Sequence, residues 1–152
     1  GRLDYNSSGL LLFTNDGNLA QKLTQPIYQI PRTYLCYLDS IISTSQLEQM
    51  AQGLEIEFDN GRGKYFKHFV LPKNLKKLPK GVEITLNEGK NRELRKLFAS
   101  FGFDILDLHR IEYGPISLGD LEPGSGRRLL ENEVADLLSC FSGNSYSGSS
   151  KP

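Results

Sequence analysis

With 152 residues, 38% of them hydrophobic and 24% charged, the chain has the length and composition of one globular domain that buries a core without disulfides or a structural metal. Its longest apolar run, residues 9–13, is far too short to cross a bilayer, no signal-peptide succession opens the sequence, and Cys36 and Cys140 stand far apart without a CxxC pattern, which points to a cytoplasmic protein with free thiols. Eighteen Lys/Arg balance eighteen Asp/Glu overall, yet residues 61–100 hold eleven Lys/Arg against three Asp/Glu. That segregated charge reads either as a solvated lysine-rich loop or as a surface that follows phosphates.

The apolar run at residues 9–14, closed by Asn15-Asp16-Gly17, reads as a buried strand leading into a short helix over 18–23. Pro26 and Pro31 bracket a loop, and residues 33–38, rich in aromatic and β-branched side chains, predict a second strand. Ser43 or Thr44 caps a helix over 45–52 that stops at Gly53. Strands are expected at 65–71 and 82–86, flanking a Lys/Pro loop that runs to Gly81. Leu94, Leu97, Phe98 and Phe101 recur at helical spacing, so residues 91–101 form a helix with Gly102 at its stop. Strands at 105–111 and 115–118 and a helix at 132–140 follow, and from Ser142 the Ser/Gly-rich composition predicts a disordered tail, residues 142–152. Strands and helices alternate without a regular βαβ period and several strands are joined closely, so the expected class is α+β, built on a mixed, largely antiparallel sheet with flanking helices.

Three segments carry chemistry. GRLDYNSSGLLLFTNDG, residues 1–17, sets the Asp4 carboxylate in a loop just before a strand. A short acid held there can be partly desolvated and still face a cleft, as a nucleophile or general acid/base must; an Asp before a strand is also a common turn residue. PRTYLCYL, residues 31–38, places Tyr34 on a strand, where its ring can stack on a base or simply fill a pleated surface. EGKNRELRKLFASF, residues 88–101, opens a helix with Lys90, Arg92, Arg95 and Lys96 near its first turns, a setting that favours anions; for Lys96 a solvated helix face is the plainer reading. His68 and His109 stand isolated, and neither cysteine has ligands at zinc spacing, so no metal and no cofactor is expected.

In this order the three segments resemble the ribosomal RNA pseudouridine synthases of the branch that contains RsuA, RluB, RluE and RluF. The likeness rests on GRLDYNSSGLLLFTNDG, Pro31 to Tyr34, EGKNRELRKLF and LHRIEYGPISLGDLEPG, and so covers most of residues 1–130. It implies the catalytic fold of that family, with a central cleft, and isomerisation of a uridine in a loop or bulge of ribosomal RNA. The essential aspartate falls on Asp4, the tyrosine that contacts the target base on Tyr34, and the arginine paired with the aspartate on Arg95, with Leu94 packed beside it. Arg2, Lys90, Asn91 and Arg92 match positions that line the cleft. Ser7 stands where threonine is more usual, and the hydroxyl is kept. EGKNRELRKLF looks more like the enzymes of the large ribosomal subunit, which implies 23S RNA as the target, with the small-subunit RNA as the alternative.

The resemblance also implies an RNA-binding domain and a Lys-Pro strand ahead of GRLD. Neither is in this sequence, which begins on Gly1 rather than Met, so residues 1–141 are expected to be an N-terminally truncated catalytic domain. A monomer acting on ribosomal RNA, with no membrane partner, is the expectation. A catalytically silent RNA-binding or ribosome-assembly module with the same fold is the alternative. A glycoside hydrolase would need a second carboxylate across the scissile bond, and Asp4 alone carries a motif.

Overall fold

A computed structural model describes residues 1–87 and 92–142. In chain order the elements are β1 (Ser7–Gly9), α1 (Gly17–Thr24), a 3₁₀ turn (Pro26–Tyr28), β2 (Arg32–Leu38), α2 (Thr44–Ala51), β3 (Leu54–Asp59), β4 (Tyr65–Val70), β5 (Asn74–Leu78), β6 (Gly81–Leu86), α3 (Glu93–Ser100), β7 (Ile105–Tyr113), β8 (Ile116–Ser117) and α4 (Glu131–Ser139). Six strands form one sheet in the order β1-β7-β2-β6-β5 with β8 beside β7, and β3 and β4 form a separate hairpin. β1 runs parallel to β7 and every other pairing is antiparallel, which is the α+β class with a mixed sheet.

Local chemistry accounts for the helix ends. Asp16 caps α1 by accepting from the backbone of Asn18 and Leu19, and Pro26 follows its last turn. Ser43 and Gln46 form a reciprocal capping box on α2: the Gln46 N–H donates to Ser43 Oγ at 3.1 Å, and the Ser43 N–H donates to Gln46 Oε1 at 3.0 Å.

Three expectations from the sequence give way. The apolar run 9–14 is not a strand beyond Gly9; its leucines spend their hydrophobicity in the core as loop residues, Leu10 buried and Leu12 packed beside it. The Lys/Pro segment is not all loop, since residues 74–78 pair with β6 as an edge strand, where exposed Lys76 and Lys77 discourage edge-to-edge association. β3 is an addition to the expected elements; its alternation of Glu55, Glu57 and Asp59 with Ile56 and Phe58 follows directly on α2 and is easily merged with it. The tail expected from Ser142 lies, past that residue, outside the described residues.

Two apolar clusters flank the middle of the sheet. The larger gathers Cys36 and Leu38 of β2, Val82, Ile84 and Leu86 of β6, Leu108 of β7, Met50 of α2 and Leu94, Leu97 and Phe98 of α3, with Ile56, Phe58 and Val70 of the hairpin. The smaller gathers Leu10, Leu23, Ile30, Tyr113, Ile116 and Leu137, and so binds α1 and α4 to the far end of β7. Tyr34 packs on the first cluster and Tyr113 belongs to the second. The seam between them holds the candidate site.

Candidate active site

β1 is short but tightly held. Gly9 has φ +108°, a Cβ there would collide with the Arg110 carbonyl, and the Leu10 N–H donates to that same carbonyl at 2.8 Å. A glycine is therefore required where β1 meets β7. Upstream, the Ser7 N–H donates to the Asp4 carbonyl at 2.9 Å, closing the turn that presents Asp4. Asp4 is half-buried, and among the described residues its carboxylate enters no ion pair and no hydrogen bond.

Arg95 reaches this turn from α3, although not by the ion pair expected with Asp4. Its Nη2 donates to the Asn6 carbonyl at 3.0 Å, and its Nη1 donates to the Ile105 carbonyl at 3.2 Å. The guanidinium thus clamps two backbone segments, the lead-in to β1 and the start of β7. Its Nε is buried without an acceptor among the described residues.

Tyr34 lies two strands from β1. It pairs with Arg110 of β7, which pairs in turn with Gly9, so at about 4.8 Å per strand the backbones of Gly9 and Tyr34 are roughly 10 Å apart. The three segments therefore converge. Burial raises the Tyr34 phenol above its ordinary value, and the Arg110 and Arg32 cations pull the other way without cancelling that effect.

The remaining sequence candidates scatter. Arg2 is exposed, and Leu94 is buried in the larger cluster. Arg92 is exposed and takes the left-handed conformation, φ 55°, as α3 begins, which fixes the direction of entry into that helix. Lys90 and Asn91 lie outside the described residues. Lys96 is not the freely solvated side chain expected, since its ammonium sits 4.4 Å from the centre of the Phe58 ring. Neither histidine is isolated: His109 Nδ1 is 2.8 Å from Ser8 Oγ, and His68 Nε2 is 3.8 Å from the buried Glu93 carboxylate.

Sequence reasoning passes over Arg32, Arg110 and Tyr113. A bulge at Ile111 in the β2–β7 ladder brings Arg110 and Tyr113 to one face of the sheet, with Tyr34 and Arg32 opposite them. The Tyr113 ring lies between two guanidiniums, 4.7 Å from Arg32 and 4.9 Å from Arg110. Arg32 donates to the Ile30 and Leu23 carbonyls and to the Tyr113 hydroxyl. Arg110 Nε donates to the Leu10 carbonyl at 2.9 Å, while its buried Nη2 meets no acceptor among the described residues. Neither cation has a carboxylate partner among the described residues. The legible signal is an arginine at position 32, of the same parity as Tyr34, Cys36 and Leu38 on an inward-facing strand.

Four buried polar atoms among the described residues lack a partner: Ser7 Oγ, Asn87 Oδ1, Arg95 Nε and Arg110 Nη2. Each costs about 1–3 kcal/mol of desolvation if left unmet, and folded proteins tolerate few of them. Three belong to the Asp4 segment, to Arg95 and to the strand opposite Tyr34. Unmet polar atoms gathered here leave room for partners from outside the chain, water or a polar ligand. A cavity of about 1050 Å³ opens next to it, lined by Gly9–Thr14, Arg110, Tyr113 and residues of the 116–138 stretch, but not by Asp4, Tyr34 or Arg95. No helix of the described residues is long and apolar enough to cross a membrane.

Residues 1–100 match the RNA pseudouridylate synthase family. The ribosomal large subunit pseudouridine synthase B of Bacillus subtilis is 37% identical over 137 residues, 90% of this chain and 55% of that protein. The ribosomal small subunit pseudouridine synthase A of Escherichia coli is 34% identical over 140 residues, 91% of this chain and 58% of that protein. A solved pseudouridylate synthase superposes with a TM-score of 0.78 at 29% identity, over 90% of this chain and 57% of the other. The chain thus spans little more than half the length of the relatives it matches. The fold, the convergence of the three segments and these matches agree: the chain belongs to the RNA pseudouridylate synthase family, in the branch that holds both of these ribosomal synthases.

Proposed function

We propose that this chain isomerises a uridine in ribosomal RNA, with Asp4 as the reacting carboxylate, Tyr34 as the aromatic partner of the target base and Arg95 as the clamp that places Asp4. The observation that carries the reading is convergence. Arg95 of α3 holds the carbonyl two residues past Asp4, and β7 joins the Asp4 segment to the strand of Tyr34.

The reaction breaks the bond from ribose C1′ to N1 of uracil, turns the base and joins C1′ to C5; the proton lost from C5 is balanced by one gained at N1. Nothing is oxidised and nothing is added, so the stoichiometry calls for neither a redox cofactor nor a metal. A stacked base hides its reacting atoms, so the nucleotide must first be extruded, at a cost of about a few kcal/mol that loops and bulges lower. Tyr34 then offers a half-buried ring edge to the extruded uracil. With its phenol held above the ordinary value, its resting form is the neutral phenol, and in this reading the same oxygen also takes the proton from C5 once its own proton has passed to solvent. Asp4 acts on the sugar, by attack at C1′ or by assisting a glycal-like species, and with no partner among the described residues its oxygens are available for that role.

Residues 1–141 form the catalytic unit in this reading, a monomer acting in the cytoplasm. Arg2, Lys90, Asn91 and Arg92 contact the RNA in this reading, with the basic stretch 61–100 supplying phosphate contacts that weaken with salt. The higher identity to the Bacillus subtilis relative favours 23S RNA as the target. The test uses ribosomal RNA carrying tritium at C5 of uridine, with release of label followed for the chain and for Asp4→Asn. Release should fall on the order of a thousandfold or more in the variant. Equal release from both proteins would remove Asp4 from the mechanism, and no release from either would favour a silent RNA-binding module.

A further inference from the structure

Arg110 has no role in the reading just given, yet it lies where the end of β1, Tyr34 and Tyr113 meet. It is 4% exposed, on the central strand β7. Its backbone carbonyl accepts from Leu10, and its Nε donates to the Leu10 carbonyl, so one residue ties down the outgoing end of β1 from both its main chain and its side chain. Its guanidinium lies over Tyr113, and it stands directly opposite Tyr34 in the ladder, on the same face of the sheet. One of its nitrogens, Nη2, is buried and without an acceptor among the described residues. An unpaired buried cation is costly and survives where the surroundings fix it and something uses it.

We propose that Arg110 is a positioning residue of this site, which fastens the Asp4-bearing segment to the strand of Tyr34 and keeps a cation beside the Tyr34 ring, with its free N–H turned toward the tyrosine oxygen when that oxygen gives up its proton. The inference rests on the assignment of Tyr34 given above. Chemically, a neutral phenol must pass its own proton to solvent before it can take one from C5, N1 of uracil gaining a proton from solvent in return, and the phenolate so formed needs a counter-charge in a site where burial disfavours it. Arg32 is less well placed, because it pairs across the ladder with Tyr113 and three of its donors hold two carbonyls and the Tyr113 hydroxyl. When C5 yields its proton the phenolate becomes a phenol again, so Arg110 ends the cycle as it began.

Two effects follow that a purely structural arginine would not produce. Arg110→Gln, which removes the charge and keeps polar bulk, should lower kcat roughly tenfold or more with KM for RNA changed by less than about threefold. In a Tyr34→Phe background the same substitution should have little further effect, because the oxygen it serves is gone; additive losses in this double-mutant cycle would overturn the proposal. The second measurement needs no turnover. The absorbance change of tyrosinate formation, taken as the difference between the chain and Tyr34→Phe, isolates the ionisation of Tyr34, which should move to higher pH in Arg110→Gln and stay close to its original position in Arg110→Lys. An unchanged Tyr34 titration in a folded Arg110→Gln protein overturns the proposal. Asp4→Asn, run in parallel for label release, separates the two claims. If it retains full activity the functional reading itself fails, whereas an inactive Asp4→Asn beside an uncoupled Arg110→Gln removes the Arg110 proposal alone.

Discussion

The two halves of the site hold their groups in opposite ways. Tyr34 sits on β2, hydrogen-bonded along both edges to β6 and β7, with its ring against a cluster of fifteen buried residues. Asp4 sits in a turn ahead of β1, a strand of three residues at the end of the sheet, joined to the rest through β7 and through one guanidinium from α3. The aromatic platform is therefore fixed by the fold as a whole, whereas the carboxylate is fixed by a few identifiable contacts. Under the proposed function, a carboxylate that meets an extruded base gains from a short, adjustable tether, while a stacking surface gains from rigidity.

The sharpest way to break that asymmetry is at Gly9. Gly9→Ala pushes a methyl group into the Arg110 carbonyl from a backbone conformation that L residues rarely adopt, and neither the backbone of β7 nor that of β1 can yield cheaply. A loss of about 3 kcal/mol of stability is expected, concentrated in β1. Amide exchange should show it: the Ser7 and Leu10 amides should open much faster than in the parent protein, while those of β2 hold. Uniform acceleration across β2 and β6 would mean that the two halves unfold together and that the contrast drawn here is wrong.

Arg95 tests the same contrast by function rather than stability. Arg95→Ala removes both backbone clamps, at Asn6 and at Ile105, without touching β2. Turnover should fall on the order of a hundredfold, since a displaced reacting group loses its alignment, with KM for RNA changed only severalfold. A loss confined to KM would recast Arg95 as a phosphate contact.

How much of this is readable from the sequence follows the same division. Elements with a strong period, such as α3 with Leu94, Leu97 and Phe98 and β2 with Cys36 and Leu38, are found within a residue or two of where the pattern puts them. Boundaries fail where hydrophobicity serves a loop, as in residues 10–14, and where lysines mask an edge strand, as in β5. The segments of the candidate site are legible because Asp4, Tyr34 and Arg95, the proposed reacting groups, sit in distinctive strings. The clamp of Arg95 onto a main-chain carbonyl, instead of onto Asp4 itself, is not, because no pattern of residue types encodes which backbone atom a guanidinium will reach. Arg32 and Arg110 escape notice for a related reason: on a strand, an arginine reads as surface until the register shows it facing the core.

Acid should separate the two halves more gently. Arg127 grips Glu133 through two nitrogens at 2.7 and 2.8 Å, and the Leu130 N–H donates to the same carboxylate at 2.9 Å, so Glu133 caps the start of α4. The Arg127 guanidinium and the Leu130 amide hold this carboxyl down to about 2, well below its ordinary 4.5. A carboxyl depressed on folding stabilises the folded state in full above pH 4.5, and that contribution is lost as pH falls toward 2. α4 reaches the interior through Leu137, in the cluster that also holds Leu10, so the loss belongs to the Asp4 half. Between about pH 4.5 and 2.5 the α4 amides should therefore exchange progressively faster, ahead of those in β2 and β6. Glu133→Gln should show the weaker α4 already at neutral pH and little of that pH dependence. The effect should be small, because the pair lies at the surface with its Arg127 side chain exposed, and salt screens it. An unchanged acid response in Glu133→Gln would place the sensitivity in other carboxylates and detach α4 from the contrast between the two halves.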